Sequence, residues 1–328
     1  MFFEEHLSRV AARAVAGIAA ATALVALASC GGGTYQQQAF VPARILTFGD
    51  ESSMLVGSQG LKYSINGEST SNNEIDCTQN PLWTQTLANS YGLVYANCNV
   101  NASPYTGAVD MTTLNGTVED VVQQVQAFQA GDTFNYNDLV TIWVGMHDVL
   151  NDYQANGTGD EATLQSDMKA AGATLGNLVN AIAATGAKVI LLTIPDMSDT
   201  PFAYVESQRG DFDRLKLLSD MSTSFNVGLR STIINDGSQI GLVLVDDLVR
   251  NAVRSPSSFG LVALDNQSFA CLPSAPLPTC TKDTLNNDPT TGQPPLANYL
   301  WADATHLAAS LQTQIGNQAQ SRAHSNPF

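Results

Sequence analysis

The chain has 328 residues, 14 basic against 30 acidic side chains, a net charge of −16 and 44% hydrophobic residues. So acidic a surface repels phosphate backbones and excludes nucleic acid as a partner. Length and apolar content are those of a globular protein with one large domain or two small ones.

In chain order, the first segment reads as an address. Arg9 and Arg13 precede an uncharged run, Ala14 to Ala28, that is shorter than a membrane span and fits the apolar core of a secretory signal. Leu27 to Cys30 (LASC) resembles the bacterial lipobox, in which cleavage before the cysteine leaves it carrying a lipid anchor. Residues 1–29 are therefore expected to be a lipoprotein signal peptide, and 30–42 a tether lipidated at Cys30 and opened by the flexible GGGTYQQQ. Gly31 after the cysteine favours the outer membrane, by resemblance to sorted lipoproteins, and places the protein on the periplasmic side of the envelope. Without Cys30, the cysteines are Cys77, Cys98, Cys271 and Cys280, which allow three connectivities. The short loops they close favour Cys77 with Cys98 and Cys271 with Cys280, paired in an oxidising compartment.

Residues 43–328 are expected to form a single domain in which strands and helices alternate. RILTF (44–48) reads as a strand, 81–92 as a helix opened by Pro81 and closed by Gly92, and GLVYAN (92–97) as the next strand. Thr117 and Asp120 form a variant capping box for a helix over 118–131. Then follow a strand at 139–145, a long amphipathic helix near 161–185, a strand at 188–195, a helix near 211–235 and a strand at 240–247. Residues 255–300, rich in proline, asparagine and threonine, are expected to be a disulfide-stapled loop over the sheet's edge or mouth, and a helix over about 306–322 closes the chain. The strands are near-continuous apolar runs, so both sheet faces are covered. That implies a parallel, three-layer α/β sheet with right-handed crossovers.

In such a sheet ligands bind beyond the carboxyl ends of the strands. The chemically loaded stretches FGDESS, NVNAS, GMHD and DATH all fall there. At these blocks the chain resembles the SGNH, or GDSL, hydrolases, from about residue 44 to 318. FGDESSM resembles the FGDSLSD block, YANCNVNAS the glycine block, TIWVGMHDVL the GxND block and YLWADATHL the YLFWDxxHPT ending. TIPDMSDTP (193–201) is similar to LPDLGxTP, and SPSSFGL (255–261) to PxxYGF. Six matches in one order are specific. The resemblance implies a three-layer, flavodoxin-like SGNH hydrolase fold and hydrolysis of acyl or acetyl esters by a Ser-His-Asp arrangement. Asp303 and His306, spaced i, i+3, are expected on one face of a helical turn, with the carboxylate orienting the imidazole.

The other blocks depart from the family. Without gaps, Glu51 takes the serine's place, Ala102 the glycine's and His147 the asparagine's. Ala102 keeps a backbone N–H and His147 a ring donor, so both remain candidates for the oxyanion hole, with Asp50 and Asp148 as supporting groups that bond loop amides. Glu51 is a poor nucleophile toward an ester, but it can act as a base on water or hold His306. If Glu51 is a one-residue insertion, Ser52, or failing it Ser53, falls into the serine's register. The expected catalytic set is thus Ser52, Glu51, Asp303 and His306, acting on a small-molecule, lipid or glycan ester. The alternative is a catalytically silent domain that binds an envelope lipid, glycan or protein. Asp50, Glu51, His147, Asp148, Asp303 and His306 also have the composition of a site for a hard or borderline cation. Ligand spacing in sequence is not diagnostic, however, and neither metal nor cofactor is expected. Trp83, Trp143 and Trp301 are expected to fill the core or line the cleft.

Overall fold

The apolar run ILTF makes β1 (Arg44–Gly49), buried after its first residue, and everything else is arranged around it. The computed structural model describes residues 39–157, 159–261, 268–287, 292 and 298–325. The signal peptide, Cys30 and the tether to residue 38 lie outside them, as does part of the 255–300 segment. Phe40–Phe328 is one compact unit.

Two short pairing strands, β2 (Leu55–Val56) and β3 (Leu61–Lys62), form a hairpin away from the main sheet. The main sheet continues with β4 (Val94–Tyr95), β5 (Gly107–Asp110), β6 (Asp138–Trp143), β7 (Lys188–Leu192) and β8 (Ile240–Val243), in the order β4-β5-β1-β6-β7-β8. Every pairing in it is parallel. The helices are α1 (Trp83–Ser90), α2 (Val118–Gln129), α3 (Met146–Asn156), α4 (Glu161–Ala183), α5 (Pro201–Ser207), α6 (Arg214–Thr232), α7 (Val245–Arg254) and α8 (Ala309–Ala323). α1 packs with α8, while α2, α4 and α6 pack together, so both faces of the apolar sheet are covered. Among the described residues no helix is long and apolar enough to cross a membrane.

One strand differs from the expectation in a way that matters for the site. GLVYAN pairs over only Val94–Tyr95 and lies at the sheet's edge, whereas the neighbour of β1 is GAVD at 107–110. Four residues opened by a glycine carry too little apolar signal to mark a central strand, and the edge strand was the more hydrophobic stretch. The chain therefore folds back from β4 to β5 before reaching β1, and the loop at the mouth is the one after β5. β1 lies where the order of connections reverses, which in open α/β sheets is where the binding crevice forms.

The capping box at Thr117 forms as expected, with the Asp120 carboxylate accepting the Thr117 N–H at 2.8 Å. Helices α3 and α5 are unexpected, and α7 takes over residues 245–247 of the strand expected at 240–247, which ends at Val243. Both expected disulfides are present, Cys77 with Cys98 and Cys271 with Cys280. The second one sits in a small apolar cluster with Ile65, Tyr299 and Ala302, and Asn66 ties the stapled loop to β3 by donating to the carbonyls of Pro278 (2.7 Å) and Cys280 (2.9 Å). The three tryptophans are buried, so they belong to the core.

Lys62 is fully buried beside this junction, its ammonium donating to the carbonyls of Gln79 (2.6 Å) and Asn80 (3.0 Å). Burial pushes its pKa down to about 7, against the attraction of Asp76. The folded chain then binds fewer protons than the unfolded one from about pH 7 to the ordinary lysine range, so this lysine's penalty is fully present at lower pH and is relieved as pH rises. Relative to Lys62→Met, the parent's unfolding free energy should rise through this window by up to about 1.4 kcal/mol per pH unit. Urea titrations of both proteins at pH 7, 8, 9 and 10 check it; parallel curves would mean that Lys62 titrates normally.

Candidate active site

The site starts where β1 ends. Gly49 pairs with Trp143 in an unbroken register along β1 and β6, so the strand reaches its turn without a bulge. Asp50 caps the turn that follows, its Oδ1 accepting the Ser52 N–H at 2.9 Å, and Glu51 to Ser53 form one turn of 3-10 helix. In this turn it is the Glu51 side chain that faces His306.

Glu51 is 1% exposed and its carboxylate is held at both oxygens. Oε2 accepts the Asn115 N–H at 2.7 Å. Oε1 meets two imidazoles, His147 Nε2 at 2.5 Å and His306 Nε2 at 3.1 Å. His147 sits in the first turn of α3 after β6. His306 comes from the loop before α8, and its Nδ1 faces both oxygens of Asp303 at 2.9 and 3.0 Å. This loop is a closed turn: the Ala302 N–H donates to the His306 carbonyl (2.7 Å), and Asp303 Oδ1 accepts the N–H groups of Thr305 and His306. The expected helical turn is thus an open one bent around a carboxylate, two residues ahead of α8, but it brings Asp303 to His306 as foreseen. Ser64 Oγ donates to the Leu307 carbonyl (3.0 Å) and the Tyr63 ring lies 5.7 Å from the His306 ring, so β3 and the residues after it support the turn from behind.

Neither candidate serine hydrogen-bonds His306. Ser52 is 3% exposed; its N–H is spent on Asp50 and its carbonyl faces Gln312 Nε2 at 3.5 Å. Ser53 Oγ accepts the Trp83 indole N–H at 3.0 Å. His306 Nε2 meets Glu51 instead, at 3.1 Å. Ala102 also stands apart from its expected role. It lies in the loop after the edge strand β4, exposed, with φ +47°, and its N–H donates to the Asn99 carbonyl at 3.1 Å instead of pointing to an oxyanion. The loop that does reach the site follows β5 and contains Asn115 and Gly116, which the sequence reading missed. The Asn-Gly pair is a turn signal that could have marked it. Asn115 adopts φ +54°, and a Cβ on Gly116 would come within 3.1 Å of the Gly49 carbonyl oxygen and 3.3 Å of the Asp50 Cα. Asp148 bonds across the mouth to the first amide of α2, accepting the Val118 N–H at 3.2 and 3.0 Å.

Electrostatics follow from this packing. Burial works against every charge here, but paired groups overcome it. His306 is raised to about 10, since its hydrogen bonds to Asp303 and Glu51 outweigh burial. His147 is raised for the same reason by Glu51, and Glu51 is held well below the usual carboxylate range by both imidazoles. Asp303 is lowered by His306 against burial. Asp50, buried and beside the Glu51 charge, is pushed up to about 7, and burial raises Asp148 to about 6. In chemical terms, two imidazoles flank one carboxylate oxygen. An imidazole with carboxylates at both nitrogens carries both protons, so it can donate to an oxyanion or a leaving alkoxide but has no lone pair with which to deprotonate a serine.

The comparisons agree with this geometry on one family. The model for GDSL-like lipases and acylhydrolases matches residues 45–318. Over 197 residues the chain is 28% identical to a phosphatidylcholine-sterol acyltransferase of Aeromonas hydrophila, a match covering 58% of this chain and 54% of that protein. The chain thus spans about half the length of that curated relative. Solved structures similar to it include a lipolytic protein of the G-D-S-L family from Veillonella parvula DSM 2008, at 10% identity and TM-score 0.41, covering 85% of this chain and 96% of that one. Another is phospholipase A1 from Streptomyces albidoflavus NA297, at 14% identity and TM-score 0.42, covering 87% and 100%. With a family match along most of its length, this chain belongs to the GDSL-like lipase and acylhydrolase family, a family of the serine esterase and lipase type.

Proposed function

We propose that this chain hydrolyses acyl esters of envelope lipids by direct attack of water, polarised at the cluster of Glu51, His147 and His306, without an acyl-enzyme. The observation that carries the reading is the 3.1 Å approach of Glu51 Oε1 to His306 Nε2, the nitrogen that the family pattern aims at a serine hydroxyl. In place of a nucleophilic hydroxyl, the mouth offers one carboxylate oxygen and two imidazoles, with Asp303 orienting the nearer ring. Water adds to the acyl carbon, the ester C–O bond breaks, and the proton released by water balances the one taken up by the departing alkoxide. The products are a carboxylic acid and an alcohol.

A lipid ester is favoured as substrate by the relative named for phosphatidylcholine-sterol acyl transfer. The leader-like segment ending at Cys30 and the two disulfides support a site on the periplasmic side of the outer membrane, anchored through that cysteine.

Rapid-mixing kinetics with p-nitrophenyl butyrate test the mechanism. Product should form without a burst, hydroxylamine should not divert the acyl group, a fluorophosphonate probe should label nothing, and Ser52→Ala should keep its rate within about threefold, since no bond to Ser52 is made. A burst together with labelling at Ser52 would assign the nucleophile to that serine. No hydrolysis of any acyl ester would leave the family fold as a lipid- or glycan-binding module.

A further inference from the structure

Three side chains, from the turn after β1, the first turn of α3 and the loop before α8, each present one donor atom within 4.8 Å of the others: Glu51, His147 and His306. We propose that they bind a divalent transition-metal ion of the zinc class. Two imidazole nitrogens and one carboxylate oxygen are the donor set of zinc, iron and cobalt sites, whereas magnesium and calcium take oxygen ligands almost alone.

Beyond donor type, the surroundings are those of a built site. Asp303 accepts from Nδ1 of His306 at 2.9 Å, which fixes the ring and turns Nε2 toward Glu51, the arrangement in which a carboxylate behind a histidine orients it for a metal. Asn115 holds Glu51 Oε2 at 2.7 Å and leaves Oε1 as the oxygen shared by both rings. Glu51 is 1% exposed and the two histidine side chains are 13% and 14% exposed, so the donors are anchored yet reachable. A tetrahedral ion with bonds of about 2.0–2.1 Å separates its donors by roughly 3.3 Å. The His306 contact at 3.1 Å is already near that spacing, and the His147 contact at 2.5 Å must open by rotation of one side chain. The ion replaces the protons that the two imidazoles otherwise share with Glu51, so its binding releases protons.

Binding itself stands on this geometry alone. Its consequence, that a metal-bound water is acidic enough to attack an ester near neutral pH, rests on the hydrolase reading above. The purified chain, dialysed against EDTA and then against micromolar Zn²⁺, should hold about one equivalent of zinc by plasma mass spectrometry. Co²⁺ in its place should give visible d–d absorption. His147→Ala should weaken zinc binding at least ~100-fold, and Asp303→Asn, which removes no ligand, by about 10- to 100-fold. Circular dichroism of each variant separates loss of the site from loss of the fold. Less than a tenth of an equivalent bound to the parent, or zinc held equally by folded His147→Ala, overturns the site. Zinc bound without ester hydrolysis leaves the site standing and overturns the hydrolase reading, whereas ester hydrolysis by zinc-free protein upholds the hydrolase reading and overturns the metal-bound water as its nucleophile.

Discussion

His306→Ala should lower kcat/KM for p-nitrophenyl butyrate by about 10²- to 10⁴-fold, the range that a positioned imidazole contributes to acyl chemistry. The effect is large because this ring touches both halves of the site, with Nε2 at 3.1 Å from Glu51 and Nδ1 at 2.9 Å from Asp303. It is also specific, because the turn carrying it is built from backbone bonds. The Ala302 N–H to His306 carbonyl bond and the Asp303 contacts to the Thr305 and His306 amides do not need the ring. The variant should therefore keep the parent's circular dichroism and unfold within a few degrees of it. Asp303→Asn provides the second measurement. It leaves the imidazole in place but exchanges a charged partner for a neutral one, so its loss should fall mainly in kcat, with KM little changed. A His306→Ala protein that keeps more than a tenth of the parent's activity would move the chemistry away from this turn.

How far the site could be read from sequence differs residue by residue, and the reasons are physical. Asp303 and His306 were legible because their spacing is local and the chain turns around the carboxylate, so three residues of sequence settle their contact. His147 was legible as a residue at a strand end, since an apolar run such as LVTIW announces its own carboxyl terminus. Glu51 versus Ser52 was not legible. The choice depends on how the turn after Asp50 is wound, and the groups that meet Glu51 there, Asn115, His147 and His306, come from distant parts of the chain. Asn115 was hidden for a related reason. Its strand, β5, has four residues and gains its central place from its neighbours instead of its own pattern, so the Ala102 loop was assigned the role that the loop after β5 holds. The helices α3 and α5 start inside or beside blocks that motifs mark as strand-end loops, and α7 starts inside an apolar run, IGLVLVDD, that reads as strand to its end.

The pairing of β1 with β6 explains why Gly49→Ala should be among the most destabilising single substitutions in the chain. Gly49 has φ +140°, which residues with a side chain adopt only under strain, and a Cβ there would stand 2.2 Å from the Trp143 carbonyl oxygen, on the paired strand. Backbone strain of this kind costs about 1–3 kcal/mol, and forcing an extra carbon into packed backbone about as much again. The clash cannot be absorbed by a rotamer change, because the opposing atom is main chain. The Trp143 carbonyl also accepts the Asp50 N–H at 3.2 Å, while Gly49 itself exchanges hydrogen bonds with the Gln124 side chain, 2.9 Å on each side. Moving β1 away from β6 therefore loosens the cap of the Glu51 turn at the same time. Urea unfolding of Gly49→Ala should show a loss of about 3–5 kcal/mol, a large part of the 5–15 kcal/mol that a domain of ordinary stability has. Whatever folded protein remains should hydrolyse ester poorly, since Glu51 is carried on the turn that this contact sets. A loss below about 1 kcal/mol would show that the end of β1 relaxes freely, and the turn would then also be free to bring Ser52 toward His306.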